Sequence, residues 1–189
     1  MDKKQYRNAL RSKTMIRAAF IELLTEKPLE KITVVDVVKR SELSRNTFYA
    51  HYQDVYAVLE EFQDEAFLHL RMYLEKAMEE RVFDDPLSLL QDVAEYVDDN
   101  KQTFSALLRA GRPDEFITRI RDILLEFIFV NISETGITDQ KGFCLFLEVL
   151  TTGFIHLFKR YLQNEIDMSS DEIVKEINRM FRAGMPIYR

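Results

Sequence analysis

Apolar residues recur at helical spacing in the first part of this chain. The set that establishes the spacing stands at i, i+3, i+4, i+7 and i+8, and it consists of Ile16, Ala19, Phe20, Leu23 and Leu24. Residues at these intervals lie on one face of an α-helix, so they predict an amphipathic helix over residues 11–26. We expect no continuation beyond Lys27, because Pro28 follows and the residue before a proline avoids the helical conformation.

Helix-breaking residues are scarce in the rest of the chain. The 189 residues include only 5 glycines and 4 prolines, fewer than a fold with many tight turns would need. Apolar stripes of helical spacing continue between these breakers. The sequence therefore predicts an all-α fold with no linker longer than a few residues, and with further helices at about residues 54–81, 86–100, 102–110, 113–133, 139–164 and 169–183.

Residues 32–52, ITVVDVVKRSELSRNTFYAHY, predict two short helices joined by a tight turn. Thr33 and Asp36 have the spacing of a capping box, which opens the first of them. Its valines would also suit a β-strand, but no partner strand is visible nearby, so a helix is favoured. Ser44 is a good amino-terminal cap for the second helix, which is expected to run to about Tyr52. Two short helices after a longer one predict a helix-turn-helix unit.

Two adjacent aromatic residues, Phe48 and Tyr49, must point in different directions if this segment is helical. Phe48 is expected to pack with Leu43 on the valine face of the preceding helix and on the Phe20 stripe. Tyr49 is then left on another face, together with hydrogen-bonding residues. The segment therefore predicts a buried and an exposed aromatic side by side.

The net charge of −6 is unevenly distributed. Residues 1–52 contain 11 Lys and Arg against 6 Asp and Glu, a balance of +5, which leaves −11 for residues 53–189. A basic head on an acidic body indicates that the head alone meets a polyanion. The residues that supply charge just upstream of the predicted helix-turn-helix are Lys3, Lys4, Arg7, Arg11 and Lys13.

Signatures of enzymes and of cofactor sites are missing from the sequence. It contains no GxxxxGK[ST], GxGxxG, GxSxG, HExxH or CxxC pattern, and its three histidines fall on three predicted helices. His69 has Glu65 four residues before it, which would suit a metal pair, but an ordinary helix-surface contact is favoured. Cys144 is expected to be a buried free thiol in a reducing cytosol. We expect no enzyme activity, cofactor or metal, no membrane span, and a cytoplasmic location.

The predicted head suits binding to DNA. Thr33 and Ser44 place hydroxyls and free backbone N–H groups at two helix amino termini, where phosphate is favoured. A short helix that presents polar side chains can enter the major groove while its neighbours hold the backbone. The alternatives are a polar surface helix in a small bundle, and a helical adaptor whose head docks on an acidic protein.

Residues 32–59 resemble the DNA-binding signature of the TetR family of bacterial transcriptional regulators. The residues in register with that pattern are Ser44, Arg45, Thr47, Phe48, Tyr49, His51 and Tyr52, and the resemblance covers about the first 60 residues. It implies DNA contacts from Thr33, Ser44, Arg45, Thr47, Tyr49 and His51. Asn46 occupies a variable position and is a candidate to read a base edge, for instance adenine. Two departures are Glu42, where the family often has glycine, and Gln53 and Val55, where it favours lysine.

For the remainder of the chain the resemblance implies a homodimer and an effector site. Residues 1–53 are expected to form the DNA-binding domain, and residues 54–189 a helical domain for effector binding and dimerisation. The predicted helices at 139–164 and 169–183 would pair with those of a second copy. The implied function is a repressor on operator DNA, released by a small-molecule or protein effector. Candidate pocket walls, each of which also suits plain core, are Phe104, Phe116, Phe127 and Phe143.

Overall fold

A computed structural model describes residues 3–79, 87–110, 113–131 and 137–188. These residues form α-helices and two 3-10 turns, at Leu29–Lys31 and Met185–Tyr188, with no β-strand among them. The prediction of an all-α fold is confirmed. The helices are α1 (Lys3–Glu26), α2 (Val34–Arg40), α3 (Arg45–Tyr49), α4 (Val55–Glu79), α5 (Leu87–Asp99), α6 (Lys101–Arg109), α7 (Pro113–Asn131), α8 (Gln140–Leu162) and α9 (Ser170–Gly184).

Side-chain caps determine where several of these helices begin. A cap accepts a hydrogen bond from a backbone N–H group that has no partner inside the helix. In α2 and α9 the cap is reciprocal, because an acidic residue at the third helical position bonds back to the capping residue. The capping residues of α2, α3, α4 and α9 are Thr33, Ser44, Asp54 and Ser169. The capping box predicted for α2 is confirmed.

Two predicted helix boundaries differ from those observed. The first helix begins at Lys3 rather than near residue 11, because residues 3–10 contain no glycine or proline and a helix propagates easily once nucleated. Helix α3 ends at Tyr49 rather than near Tyr52. There the N–H of His51 donates to the carbonyl of Phe48 at 2.9 Å, a three-residue spacing that tightens the last turn. The predicted break at residues 84–86 lies outside the described residues.

The first of two compact units consists of residues 1–65 and 102–113. Helices α1, α2 and α3 pack on one another in it. The Phe20 and Phe62 rings stack with centroids 6.3 Å apart. Its almost fully buried core side chains include Ile16, Phe20, Val37, Phe48, Val58 and Leu107. The prediction that Phe48 packs inward is confirmed, since none of its surface is exposed.

The second compact unit consists of residues 66–101 and 114–189. One core cluster joins α5, α8 and α9 through Ala94, Phe154, Phe158, Ile173, Val174 and Ile177. Another gathers Ile137, Phe143, Leu147, Phe181 and Met185 near the carboxy-terminal 3-10 turn. The division into functional domains after residue 53 stays a prediction, because compactness alone does not define where DNA binding ends.

Helix α8 is the most apolar element of the second unit. The helix has 23 residues, and the mean hydropathy over an 18-residue window is 1.4, so it is long and apolar enough to cross a membrane. Only 17% of that window is buried. Length and composition alone are weak grounds for a membrane span. The α8 helix instead leaves Leu145 and Val149 exposed by 66% and 70%, next to a face that packs on α9. These two apolar side chains share the exposed side of α8 with polar residues such as Glu148 and Thr152.

The turn between α2 and α3 places Glu42 in the left-handed region, at a φ of 56°. The N–H of Leu43 donates to the carbonyl of Val38 at 3.0 Å, which is the six-residue hydrogen bond of a Schellman motif. A side chain at this φ brings its Cβ too close to the backbone, whereas glycine adopts it freely. The turn expected to favour glycine is therefore present, with glutamate in a strained conformation.

Replacing Glu42 by glycine should raise the free energy of unfolding. Relief of left-handed strain contributes about 1–2 kcal/mol, and the more flexible unfolded chain offsets about 0.4–1 kcal/mol of it. Asn164→Gly is the matched control, because Asn164 has a φ of 55° and asparagine tolerates this region. Urea unfolding of both variants tests the strain, and a Glu42→Gly variant less stable than the parent would contradict it.

The adjacent aromatics should differ sharply in their effect on stability. Phe48→Ala should destabilise the first unit by about 3–5 kcal/mol, because it opens a cavity at a fully buried site. Tyr49→Ala should cost less than about 1 kcal/mol, because Tyr49 is 57% exposed. Chemical denaturation of the two variants measures the difference. Equal losses would show that the orientation of α3 is wrong.

Candidate nucleic-acid interface

Most of the predicted DNA contacts lie on α3 or immediately beside it. Ser44, Arg45, Asn46 and Tyr49 are exposed, while Thr47 is half-buried. The ring of Tyr49 packs edge-on against the ring of Phe48, with centroids 5.7 Å apart. The Tyr49 side chain is nevertheless largely exposed to solvent. Asn46, two positions before the buried Phe48, lies on the opposite side of α3, and the other four side chains are distributed around the helix between these two directions.

The amino-terminal end of α3 is ordered by two hydroxyls. The Thr47 N–H donates to Ser44 Oγ at 3.1 Å, and the two side-chain oxygens lie 2.8 Å apart. Cap and helix therefore hold each other in a fixed geometry. Both hydroxyls keep acceptor or donor capacity toward the outside, since each has one proton and two lone pairs.

The amino-terminal end of α2 is arranged differently. The Asp36 carboxylate accepts hydrogen bonds from Thr33 N–H at 2.8 Å and from Thr33 Oγ1 at 2.7 Å. Lys27 Nζ lies 2.9 Å from the same carboxylate. The hydrogen bond from Lys27 and those from Thr33 lower the pKa of Asp36 to about 2. An anionic group of the protein thus already occupies this helix end, and the phosphate contact of Thr33 stays a prediction.

His51 follows α3 and is held by a residue that the sequence reading did not identify. Its Nε2 lies 2.8 Å from the hydroxyl oxygen of Ser12, which is 39 residues away on α1. The imidazole is half-buried. No periodic pattern marks Ser12, because a single polar residue on a helix surface carries no information about a partner so distant in sequence.

A cluster of charges joins α1 to the beginning of α4. The Arg17 guanidinium donates to the carboxylates of Glu61 and Glu65, and its carbon lies 4.1 Å above the Phe62 ring. Lys13 Nζ lies 2.8 Å from Glu61. The hydrogen bond to Glu65 raises the pKa of Arg17, so the guanidinium stays charged. We call these residues, Lys13, Arg17, Glu61 and Glu65, the α1–α4 clamp.

The clamp changes which basic residues are available to a polyanion. Lys13 was expected to supply charge upstream of the helix-turn-helix, yet it is paired with Glu61 at 2.8 Å. Arg40 is likewise paired with Glu22 and Glu26 on α1. In the part of the chain that the structure describes, Arg7, Arg11 and Arg45 have no ion pair closer than 4.0 Å. Basic side chains without an ion pair therefore remain on α1 and α3, and Lys31 and Lys39 are exposed in the segment between these helices.

The candidate pocket residues occupy separate surroundings. Phe104 belongs to the first compact unit, whereas the other three belong to the second. Phe116 packs on Phe67 with ring centroids 5.3 Å apart. Phe143, 1% exposed, lies in the carboxy-terminal core cluster, and Phe127 is half-buried on α7. Their role as pocket walls stays a prediction.

The other candidate chemistry of the body is ordinary packing. The His69 ring stacks on Tyr96 at 4.5 Å between centroids, which explains the histidine as an aromatic contact. Among the described residues no group of three or more His, Cys, Asp and Glu side chains is placed to hold a metal ion. Cys144 is a free thiol, as expected, but it is only partly buried, and that burial raises its pKa.

Known proteins share both the sequence pattern of the body and the fold. Residues 84–183, just over half of the chain, match the family model TetR_C_8, described as a transcriptional regulator C-terminal region. A crystal structure of a TetR transcriptional regulator from Streptococcus agalactiae 2603V is 27% identical, with a TM-score of 0.62 over 93% of this chain and 96% of its own. The dihydroxyacetone kinase operon activator DhaS is 16% identical, with a TM-score of 0.64 over 94% of this chain and 98% of its own, and shares the fold.

A curated relative points to the same class of protein. The uncharacterized HTH-type transcriptional regulator YxbF of Bacillus subtilis (strain 168) is 20% identical over 135 residues. The match covers 65% of this chain, which spans about a third, 33%, of the length of YxbF. The family match lies in the body, while the helix-turn-helix lies in the head, so the two observations are independent. Together they show that this chain belongs to the TetR family of transcriptional regulators.

Proposed function

We propose that this chain binds a pseudo-palindromic operator as a homodimer and represses transcription until an effector binds to its carboxy-terminal helical domain. The observation that carries the proposal is the division of α3 into a buried and an exposed side. Phe48 is 0% exposed and Tyr49 is 57% exposed, although the two are adjacent. A helix fixed in this way offers one defined set of side chains to the major groove.

Sequence would be read by the outward residues of α3. Arg45 is suited to bidentate contact with guanine and Asn46 to bidentate contact with adenine, and both side chains are exposed. Tyr49, Thr47 and Ser44 would bond to phosphate oxygens and fix the register of the helix. Thr33, before α2, and His51, after α3, would add further phosphate contacts.

The homodimer would be built on α8 and α9. Exposed apolar side chains on and after these helices are Leu145, Val149, Met180 and Ile187, with exposed fractions of 66%, 70%, 49% and 76%. A second copy of this chain can cover such a surface with its own copy of the same helices, as a twofold axis requires. Two heads held in this way would address half-sites about 34–36 Å apart, one turn of the DNA helix.

The effector would act through α4. This helix, Val55–Glu79, begins in the first compact unit and ends in the second, so the chain itself connects head and body through it. An effector that favours head spacings unsuited to the operator must lower DNA affinity, and DNA must lower effector affinity by the same factor. The acidic body favours a neutral or cationic effector, and the regulator would act in the cytoplasm without a cofactor.

Removing the charge of Arg45 should weaken DNA binding and change its dependence on salt. Each phosphate neutralised contributes about 0.9 to the slope of log affinity against log salt. Two copies of Arg45→Ala in a dimer should therefore make the slope shallower by up to about 2 if Arg45 lies at the backbone, and should lower specificity for one base if it reads guanine. A gel shift with the intergenic DNA beside its own gene measures both.

Arg71→Ala is the matched control for Arg45, because it removes the same charge from an exposed site on α4 in the second unit. We expect this control to bind DNA like the parent protein. Equal weakening by both variants would show that only net charge matters. Absence of any sequence-specific band for the parent protein would contradict the proposed function and favour an adaptor.

A charge on the exposed face of α8 should separate the two copies without unfolding either. Val149→Arg places a guanidinium where the proposed dimer buries apolar surface, while a single copy leaves the site in water. Sedimentation equilibrium should show a monomer with unchanged helical content and reduced operator affinity. Leu68→Arg is the control, because Leu68 is 59% exposed on α4. A dimer that survives Val149→Arg would place the interface elsewhere.

A further inference from the structure

We propose that Ser12 is a positioning residue for DNA binding, because it orients the His51 ring and selects which of its nitrogens carries the proton. The inference rests on the proposed function, in which His51 contacts a phosphate. It adds a polar residue of α1 to the side chains proposed to act in DNA binding. Ser12 itself is only partly exposed.

The contacts of the Ser12 hydroxyl allow it to donate either to His51 or to a backbone carbonyl of its own helix. The hydroxyl has one proton, and three acceptors lie within reach. The carbonyls of Asn8 and Ala9 lie at 3.1 Å and 3.0 Å, whereas His51 Nε2 lies at 2.8 Å. The distance of 2.8 Å suits a hydrogen bond in either direction, and in the proposed arrangement the hydroxyl donates to Nε2. Donation to Nε2 leaves the proton of a neutral ring on Nδ1.

The protonated nitrogen decides whether a neutral His51 can bind phosphate. Phosphate oxygens accept hydrogen bonds, so the ring must present an N–H group to them. In a neutral imidazole the hydrogen bond made by one nitrogen determines the state of the other. With Nε2 engaged by Ser12, Nδ1 is the nitrogen that remains for DNA, and in the part of the chain that the structure describes it has no hydrogen bond.

The contacts of His51 also restrict the rotation of its side chain before DNA binds. A surface histidine rotates about two side-chain bonds, and ordering such a side chain on binding costs free energy. The Ser12 bond and the Tyr52 ring, 6.3 Å from the His51 ring between centroids, confine the imidazole before DNA arrives. In this proposal Ser12 thus fixes both the orientation of the His51 ring and the nitrogen that carries its proton.

A double-mutant cycle tests whether Ser12 acts through His51. Ser12→Ala should lower operator affinity about threefold to tenfold, the factor that one hydrogen bond typically gives. The same change should have no effect when His51→Ala is already present, because the ring to be positioned is gone. Ser12→Thr, which keeps the hydroxyl, should restore the affinity. Additive losses in the cycle would overturn the inference.

Thr14→Ala is the matched control for Ser12→Ala. Thr14 is an exposed residue of the same helix, and its hydroxyl donates to the Leu10 carbonyl at 3.0 Å. We expect this variant to bind DNA like the parent protein. An equal loss for Thr14→Ala would attribute the effect of Ser12→Ala to α1 as a whole and overturn the inference.

The proton on the His51 ring gives a readout that needs no DNA. Nitrogen NMR of the neutral ring should show the proton on Nδ1 in the parent protein, and on Nε2 in Ser12→Ala. A parent protein with the proton on Nε2 would overturn the inference even if it binds its operator. Failure of the parent protein to bind any DNA specifically, with the Nδ1 signature intact, would instead count against the proposed function.

Discussion

Burial of Phe48 is the constraint on which the head depends. A helix turns by about 100° per residue, so fixing one side chain in the core fixes the direction of every other side chain on α3. The five-residue helix has too few internal hydrogen bonds to be stable alone, and it persists because Phe48 is packed and Ser44 caps its start. The turn at Glu42 then determines the angle between α2 and α3. The proposed DNA contacts of α3 follow from this arrangement.

Helix α1 acts as the support of the head rather than as a separate element. It contacts His51, which follows α3, through Ser12, and it contacts the long helix α4 through Arg17. Exposed ion pairs contribute little to stability, but the Arg17 guanidinium is half-buried, doubly paired and stacked on Phe62, so removing it would leave two carboxylates close together. In the proposed mechanism, a movement of α4 would therefore also displace α1. Through the contact of α1 with His51, it would change the position of the proposed DNA contacts.

Local signals predicted much of this structure, and long-range contacts were not predictable. The cap at Thr33, the cap at Ser44 and the inward turn of Phe48 each depend on residues within four positions of one another, so spacing revealed them. The link from Ser12 to His51 and the α1–α4 clamp join residues about 40 or more positions apart, for which one sequence contains no periodic signal. The same limit applies to the pocket candidates, because an aromatic residue at helical spacing looks alike in a core and in a pocket wall.

The most direct test of the central claim is selection of binding sites from random double-stranded DNA by the full-length protein. Two identical heads on a twofold axis predict an enriched sequence made of two inverted half-sites, with centres about 10 base pairs apart or a multiple of that spacing. Protein carrying Tyr49→Ala should enrich nothing above background. Enrichment of a single half-site would contradict the dimeric arrangement, and enrichment of no sequence by the parent protein would contradict operator binding itself.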